Sequence, residues 1–235
     1  MNRLITGTSL LLLFVGSALS TAVADVDYLS LLEEATAEIA NDYRDNWAYT
    51  ETATSSENTR VGRYDPSRQE GKRWTLVSVD GRAPKAKETK KFLKEKKKEE
   101  ERAEKDGDSG PASIAEDVKN IRLVKETDEF WILGFTPKAE GEFKKVMSKL
   151  EGRIKIEKSE RVLKYISIRS NKSFKPNFAT RIYRFTMKFD FGKATEEGPL
   201  VITSLDFDIN LKTLGVIKVD EKISLKFSGY TFMGD

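Results

Sequence analysis

The sequence predicts an α+β chain: a curved antiparallel sheet whose apolar face is turned toward helices. Three observations predict it. Apolar and polar residues alternate through long stretches between Arg181 and Phe232, an amphipathic helical stripe opens the chain after residue 24, and short strand-like segments bounded by turn residues lie between. The length of 235 residues and 38% hydrophobic content suffice for one sizeable core.

Composition excludes several chemistries at once. The chain has no histidine and no cysteine, so imidazole bases, thiolate nucleophiles, disulfides and zinc sites of nitrogen and sulfur ligands are out of reach. Lys+Arg number 41 against 38 Asp+Glu, a formal charge of +3. So near a balance supplies no global field for nucleic acid, and no cofactor is expected.

The first 24 residues read as a secretory signal. Arg3 makes a positive start, Leu10 to Val15 an apolar centre, and Ala22-Val23-Ala24 a small-residue cleavage site before Asp25. The apolar run is too short to span a bilayer comfortably. The expected product, cut after Ala24, is a soluble periplasmic protein.

Asp25 to Arg44 reads as the first mature helix. Val26, Leu29, Leu32, Ala35 or Thr36, Ile39 and Tyr43 recur at three- and four-residue steps, with Asp25 or Asp27 as cap. Strands are expected over Trp47 to Thr54, Thr59 to Tyr64 and Arg73 to Val79, the last covered on both faces, with an Asp80-Gly81 turn after it.

Arg82 to Lys105 breaks the pattern. It carries eleven positive and six negative side chains, a surplus of five, and only Phe92 and Leu93 are large and apolar. With almost no face to bury, it is expected as a charged helical or disordered insertion over about 82 to 115, ending in a mobile Asp106 to Pro111 loop. Its lysines, Lys90, Lys91, Lys94, Lys97 and Lys98 among them, form a basic arm suited to an anionic membrane surface or an acidic partner.

Strands resume over Ile121 to Lys125 and Glu129 to Thr136, around a Thr127-Asp128 turn, with Pro137 as terminator. Glu142 to Leu150 fits either a short helix or a strand edge. Arg153 to Glu157 and Val162 to Arg169 pair about Lys158 to Glu160. Three long strands then close the chain. Phe185, Met187, Phe189 and Phe191 share one face of the first, and Leu205, Phe207, Ile209 and Leu211 one face of the second. Leu225 and Phe227 continue that face on the third, where a bulge at Ser228-Gly229 brings Tyr230 and Phe232 to the same side.

An exported chain that opens with an amphipathic helix, continues in antiparallel strands and carries a strand-Pro-Lys unit at Ile132 to Lys138 resembles the outer-membrane lipoprotein-sorting, LolA-like superfamily. The closing stretch, Leu214 to Lys218 through Phe227 to Phe232, is similar to the last hairpin of such proteins. The resemblance implies an unclosed β-barrel covered on its concave side by helices, with a hollow that in some members carries lipids or acylated lipoproteins. It also implies an arginine on an early strand that holds the lid helices closed, for which Arg60 and Arg63 are the nearest candidates. The Lys-rich insertion is not part of a minimal carrier.

The physical case for a ligand is the apolar surplus of the last three strands, with Leu29, Leu32 and Ile39 as the lid. The competing reading is that the lid fills this face completely. Catalytic motifs are weak. Asp206, Asp208 and Asn210 resemble a calcium loop but lie on alternate positions of a strand, without a glycine turn or closing glutamate. Ser-x-x-Lys and Gly-x-Ser-x-Gly are absent. A carboxylate pair near Trp47, Trp74 or Trp131 is the remaining place to look. The expectation is a non-catalytic carrier of a lipid, acyl chain or lipidated protein, of undetermined oligomeric state. The alternative is an envelope scaffold with a packed, ligand-free barrel.

Overall fold

A computed structural model describes residues 27–39, 43–106, 115–138 and 144–234. The signal segment, Asp25, Val26, Phe143 and most of the 106–111 loop lie outside the described residues. The elements are α1 (Tyr28–Thr36), α2 (Tyr43–Asn46), β1 (Trp47–Thr54), β2 (Thr59–Tyr64), β3 (Trp74–Val79), α3 (Ala86–Asp106), β4 (Val118–Glu126) and β5 (Phe130–Pro137). After them come α4 (Lys144–Met147), β6 (Leu150–Glu157), β7 (Leu163–Ser170), β8 (Thr180–Lys193), β9 (Leu200–Thr213) and β10 (Ile217–Phe232).

The ten strands form one antiparallel sheet in the order β3-β2-β1-β10-β9-β8-β7-β6-β5-β4. Among the described residues β3 and β4 are its two edges, and no pairing closes the sheet. That open antiparallel architecture is the one the LolA-like resemblance implies. The last strand pairs with the first, so β10 and β1 lie side by side inside the sheet.

Paired residues establish which side chains share a face. One row crosses all ten strands: Leu123, Leu133, Ile154, Ile166, Phe189, Leu205, Leu225, Ala53, Arg60 and Val79. Leu133, Ile154 and Ile166 pack with α1, whereas Val79 packs with Phe92 of α3. Both helices therefore lie on this one face, called the inner face below.

Period-2 alternation locates nearly all strands, and local chemistry sets their irregularities. Gly229 adopts a positive φ of 62°, and between Thr50 and Ala48 the register gains one residue on β10. The expected bulge thus brings Tyr230 to the aromatic cluster of Trp47, Tyr49, Tyr64 and Phe227, and Phe232 onto the Trp47 ring. β3 differs from expectation. Val77 is passed over where Val61 and Gly62 pair with Ser78 and Leu76, so Leu76 and Val79 both face inward and Val77 is 51% exposed. The strand is covered on one face only.

The first helix is also shorter than its stripe predicted. It starts at Asp27, whose carboxylate accepts from the Leu29 N–H at 3.0 Å, the Ser30 N–H at 3.4 Å and the Ser30 hydroxyl at 2.8 Å. Those bonds hold the Asp27 carboxyl below its ordinary range, the Ser30 hydroxyl most of all. The helix ends at Thr36, and Ile39 then makes a parallel bridge to Leu200. At the next ambiguous segment the outcome is mixed: Lys144–Met147 is one helical turn, and Leu150 already begins β6.

Candidate functional site

Two helices flank the inner face, and each is held by different chemistry. α1 buries Leu31, Leu32, Ala35 and Thr36. Leu31, Leu32 and Ala35 join Ile39, Leu133, Phe135, Ile154, Ile156, Leu163, Ile166, Phe191 and Leu200 in the largest apolar cluster. Leu32 and Ile39 are buried as expected for a lid, but Leu29 is 42% exposed. A helix this short turns residues 28, 31, 32 and 35 to the sheet and leaves position 29 outside. Gly152 opens the sheet beneath this flank. A Cβ there would stand 2.1 Å from the Phe135 ring, so only glycine lets that ring lie across β6.

α3 covers the other flank, against β3. The expectation that its sequence has almost no face to bury is corrected here. Phe92 is buried on Leu76 and Val79, with its ring edge-on to Trp74 at 5.9 Å. Gly62 makes the space, since a Cβ there would meet Phe92 Cζ at 2.7 Å. One turn further on, Lys96 reaches through the interface. Its ammonium donates to Glu51 at 2.7 Å and to Glu99 at 2.9 Å, and it stands 4.3 Å from the Trp74 ring centroid. Lys96 and Glu51 are 7% and 5% exposed, a buried ion pair with an aromatic wall.

Two further contacts fasten α3. Arg60 of β2 donates to Glu95 at 2.6 Å. Of the two candidate lid-holding arginines, Arg60 thus reaches a helix, whereas Arg63 donates to Thr50 Oγ1 and to the Gly229 carbonyl at the bulge. At the start of α3 the Arg82 guanidinium forks onto Glu88 at 2.6 and 3.0 Å, and the Lys85 N–H donates to the same carboxylate at 2.7 Å. The Arg82 hydrogen bonds first, then the Lys85 N–H, lower the Glu88 pKa to about 2.

Between the two flanks the inner face is left partly open. Phe185 and Met187 of β8, Leu205, Phe207 and Ile209 of β9, and Ile223 and Leu225 of β10 are half-exposed and adjacent across the paired register. Phe185 and Phe207 meet edge-on at 5.7 Å. This is most of the expected lining. Phe189 packs partly against the α1 cluster, and Leu211, with part of the Phe185 ring, joins Ile182, Phe174 and Leu150 at one end. Two expected lining residues belong elsewhere. Phe191 is buried in the core under α1, and Phe227 packs with the aromatic cluster beside β1. The helices therefore cover the flanks of the inner face and leave a central apolar strip.

A cavity of about 320 Å3 opens where this strip meets α3. Ala53, Phe92, Ile223 and Leu225 give it an apolar floor, and Arg60, Lys91, Glu95, Lys96 and Glu221 a charged rim. A wider depression of about 640 Å3 beside the β1–β2 turn at Thr54 to Ser56 is lined mainly from the opposite, polar face, by Thr186, Asp206, Asp208, Asp220, Lys222 and Ser224.

The other face of the same strands is polar, which accounts for the calcium-like spacing. Asp208 accepts from Arg184 at 2.8 Å and lies 3.8 Å from Lys222, and Arg184 also reaches Asp220 at 3.1 Å. Among the described residues no group of three Asp or Glu side chains is placed to hold a metal ion. Near the tryptophans the acids are engaged otherwise: Glu126 accepts from Trp131 Nε1 at 3.2 Å and from Lys158, and Glu51 beside Trp74 is held by Lys96. Among the described residues no helix is long and apolar enough to cross a membrane.

Sequence reasoning missed Glu51, Gly62 and Lys96 as parts of the site. One signal was present: Glu51 lies between Tyr49 and Ala53, on the inward parity of β1, and a buried carboxylate requires a partner.

No family model matches the chain, and no curated protein matches it. Solved structures do. The chain is similar to a LolA superfamily protein. That protein, NE2245 from Nitrosomonas europaea, is 11% identical, with 88% of this chain and 93% of that one covered at a TM-score of 0.37. MucB in complex with MucA(peri) follows at 11% identity, 89% and 99% coverage and a TM-score of 0.21. The MucA/MucB complex of Pseudomonas aeruginosa has 10% identity, 89% and 100% coverage and a TM-score of 0.23. What the open strip does therefore rests on its own residues.

Proposed function

We propose that the chain is a periplasmic, non-catalytic carrier that binds the acyl chain of a lipid or lipidated protein along the strip between α1 and α3. The observation that carries this reading is the contiguous half-exposed apolar surface of Phe185, Met187, Leu205, Phe207, Ile209, Ile223 and Leu225, next to a cavity of about 320 Å3 with a charged rim. An acyl chain gains about 0.8 kcal/mol per methylene buried, so covering ten methylenes is worth roughly 8 kcal/mol before ordering costs. The rim suits a polar headgroup: Arg60, Lys91 and Lys96 face Glu95, Glu99 and Glu221 around an apolar floor. In this reading α3 is the movable cover and the Arg60–Glu95 pair holds it shut.

Native mass spectrometry of the protein purified from a periplasmic extract tests the reading. A co-purifying lipid, lost from a folded Phe207→Asp variant, is the expected result. A chain that carries no lipid, takes none up from detergent-solubilised phospholipid and shows no shift in melting temperature with it would overturn the reading and leave the ligand-free scaffold.

A further inference from the structure

The charges of α3 are sorted by direction. At 3.6 residues per turn, Phe92, Lys96, Glu88, Glu95 and Glu99 fall on the side toward the sheet, and each is in contact there: Phe92 on β3, Lys96 on Glu51, Glu88 on Arg82, Glu95 on Arg60 and Glu99 on Lys96. The opposite side carries Lys87, Lys90, Lys91, Lys94, Lys97, Lys98 and Arg102, all exposed, with Glu101 as the acid among them. Of the acids, Glu88 and Glu95 are turned inward to hold the helix down, and Glu99, though largely exposed, is engaged by Lys96. Two outward lysines do pair along the helix, Lys91 with Glu95 and Lys97 with Glu101, both at 3.9 Å and with lysine side chains more than 70% exposed. Pairs of that geometry scarcely reduce a cation's reach.

We propose that this outward face is a docking surface for an anionic phospholipid bilayer. From Lys87 to Arg102 it is a straight stripe about 22 Å long at 1.5 Å per residue. It carries no apolar side chain to insert, and lysines outnumber arginine six to one. Strongly hydrated point charges suit a diffuse anionic surface, whereas nucleic-acid recognition favours arginine forks and stacking aromatics, which this face lacks. Its position adds the second argument. Lys91 sits on both the stripe and the rim of the cavity, so a bilayer held by α3 lies at the mouth of the apolar strip. This second argument rests on the acyl-chain reading; the charge sorting does not.

Flotation of the purified protein with vesicles tests the surface. Vesicles of phosphatidylcholine with one quarter phosphatidylglycerol should carry the protein up the gradient, and pure phosphatidylcholine vesicles should not. Binding should fall steeply between about 50 mM and 500 mM salt, as the screening length contracts to a few ångströms. Reversing Lys90, Lys94, Lys97 and Lys98 to Glu should weaken it at least a hundredfold, at roughly fivefold per lysine near an anionic surface. The outward positions leave the Phe92 and Lys96 contacts intact, so the melting temperature of that variant should not move. Unchanged vesicle binding by the folded variant would overturn the proposal. So would absent vesicle binding alongside retention on a duplex DNA or a polyglutamate column. The same variant should still take up a fatty-acid probe in detergent-free buffer; loss of vesicle binding with uptake intact separates this surface from the strip, and uptake absent in both chains sinks only the acyl-chain reading.

Discussion

The two flanks of the inner face perform the same task with opposite materials. α1 is held by packing: three buried apolar side chains enter a cluster that reaches from β4 to β9, with the Asp27 cap and one exposed ion pair, Arg161 to Glu34, outside it. α3 is held by one phenylalanine, one buried ion pair and two partly exposed ones. Apolar packing ignores salt and pH, whereas ion pairs respond to both. The comparison identifies α3 as the flank that solution conditions can loosen while the rest of the sheet stays folded.

Leu32→Ala has the largest expected effect. The side chain is fully buried, and truncation should cost about 2–5 kcal/mol, seen as a lower midpoint of global unfolding. Lys96→Ala comes next. It strands the Glu51 carboxylate at a cost of about 1–3 kcal/mol, limited because the helix can lift and return that carboxylate to water. Its signature is faster amide exchange confined to α3, and Glu51→Leu with Lys96→Met should restore protection. Global unfolding by Lys96→Ala, as cooperative as that of Leu32→Ala, would erase the distinction between the flanks.

Gly62→Val should act through the same helix at about 1–2 kcal/mol, because its side chain takes the place of the Phe92 ring. Exchange in α3 and the near-ultraviolet signal of Trp74 report it. Acid sharpens the contrast further. Glu88 has a folded pKa of about 2 against an ordinary 4.5, so its contribution is fully present above about pH 4.5 and is lost as pH falls toward 2. The start of α3 should fray across that window. The Asp27 cap of α1 also weakens in acid, since its carboxyl is lowered too, but the packed residues 31, 32 and 35 keep the rest of α1 protected, as amide exchange would record. Leu29→Ala is the smallest, under about 0.5 kcal/mol, since the side chain is largely exposed.

Much of the sheet is visible in the amino-acid pattern. β1 and β2 have the bounds that alternation predicts, and the Gly229 bulge follows from the slip in parity before Tyr230. Strands declare themselves locally because every second side chain reports one face. The helices do not. Leu29 fits a helical stripe equally well, and only the early end at Thr36 and the bridge from Ile39 to Leu200 decide that residues 31, 32 and 35 point inward. The dock of α3 is less legible still. It joins Lys96 to Glu51 across 45 positions and depends on the absence of a side chain at Gly62, neither of which composition or periodicity reports. The open strip was legible as an apolar face, but its limits were not. Phe191 and Phe227 share the spacing of Phe207, and only tertiary contacts place them in packed clusters.

In the proposed reading the apolar strip between the flanks is a binding surface and not merely core. Titration of the purified protein with a fluorescent long-chain fatty acid tests it most directly, using two variants of adjacent residues on β9. Phe207 faces the strip and Asp206 the polar side. Saturable binding that Phe207→Asp weakens at least tenfold and Asp206→Ser leaves unchanged, with both variants melting as cooperatively as the parent, is the predicted result. No saturable binding, or equal loss in both variants, would leave the strip as packed core alone.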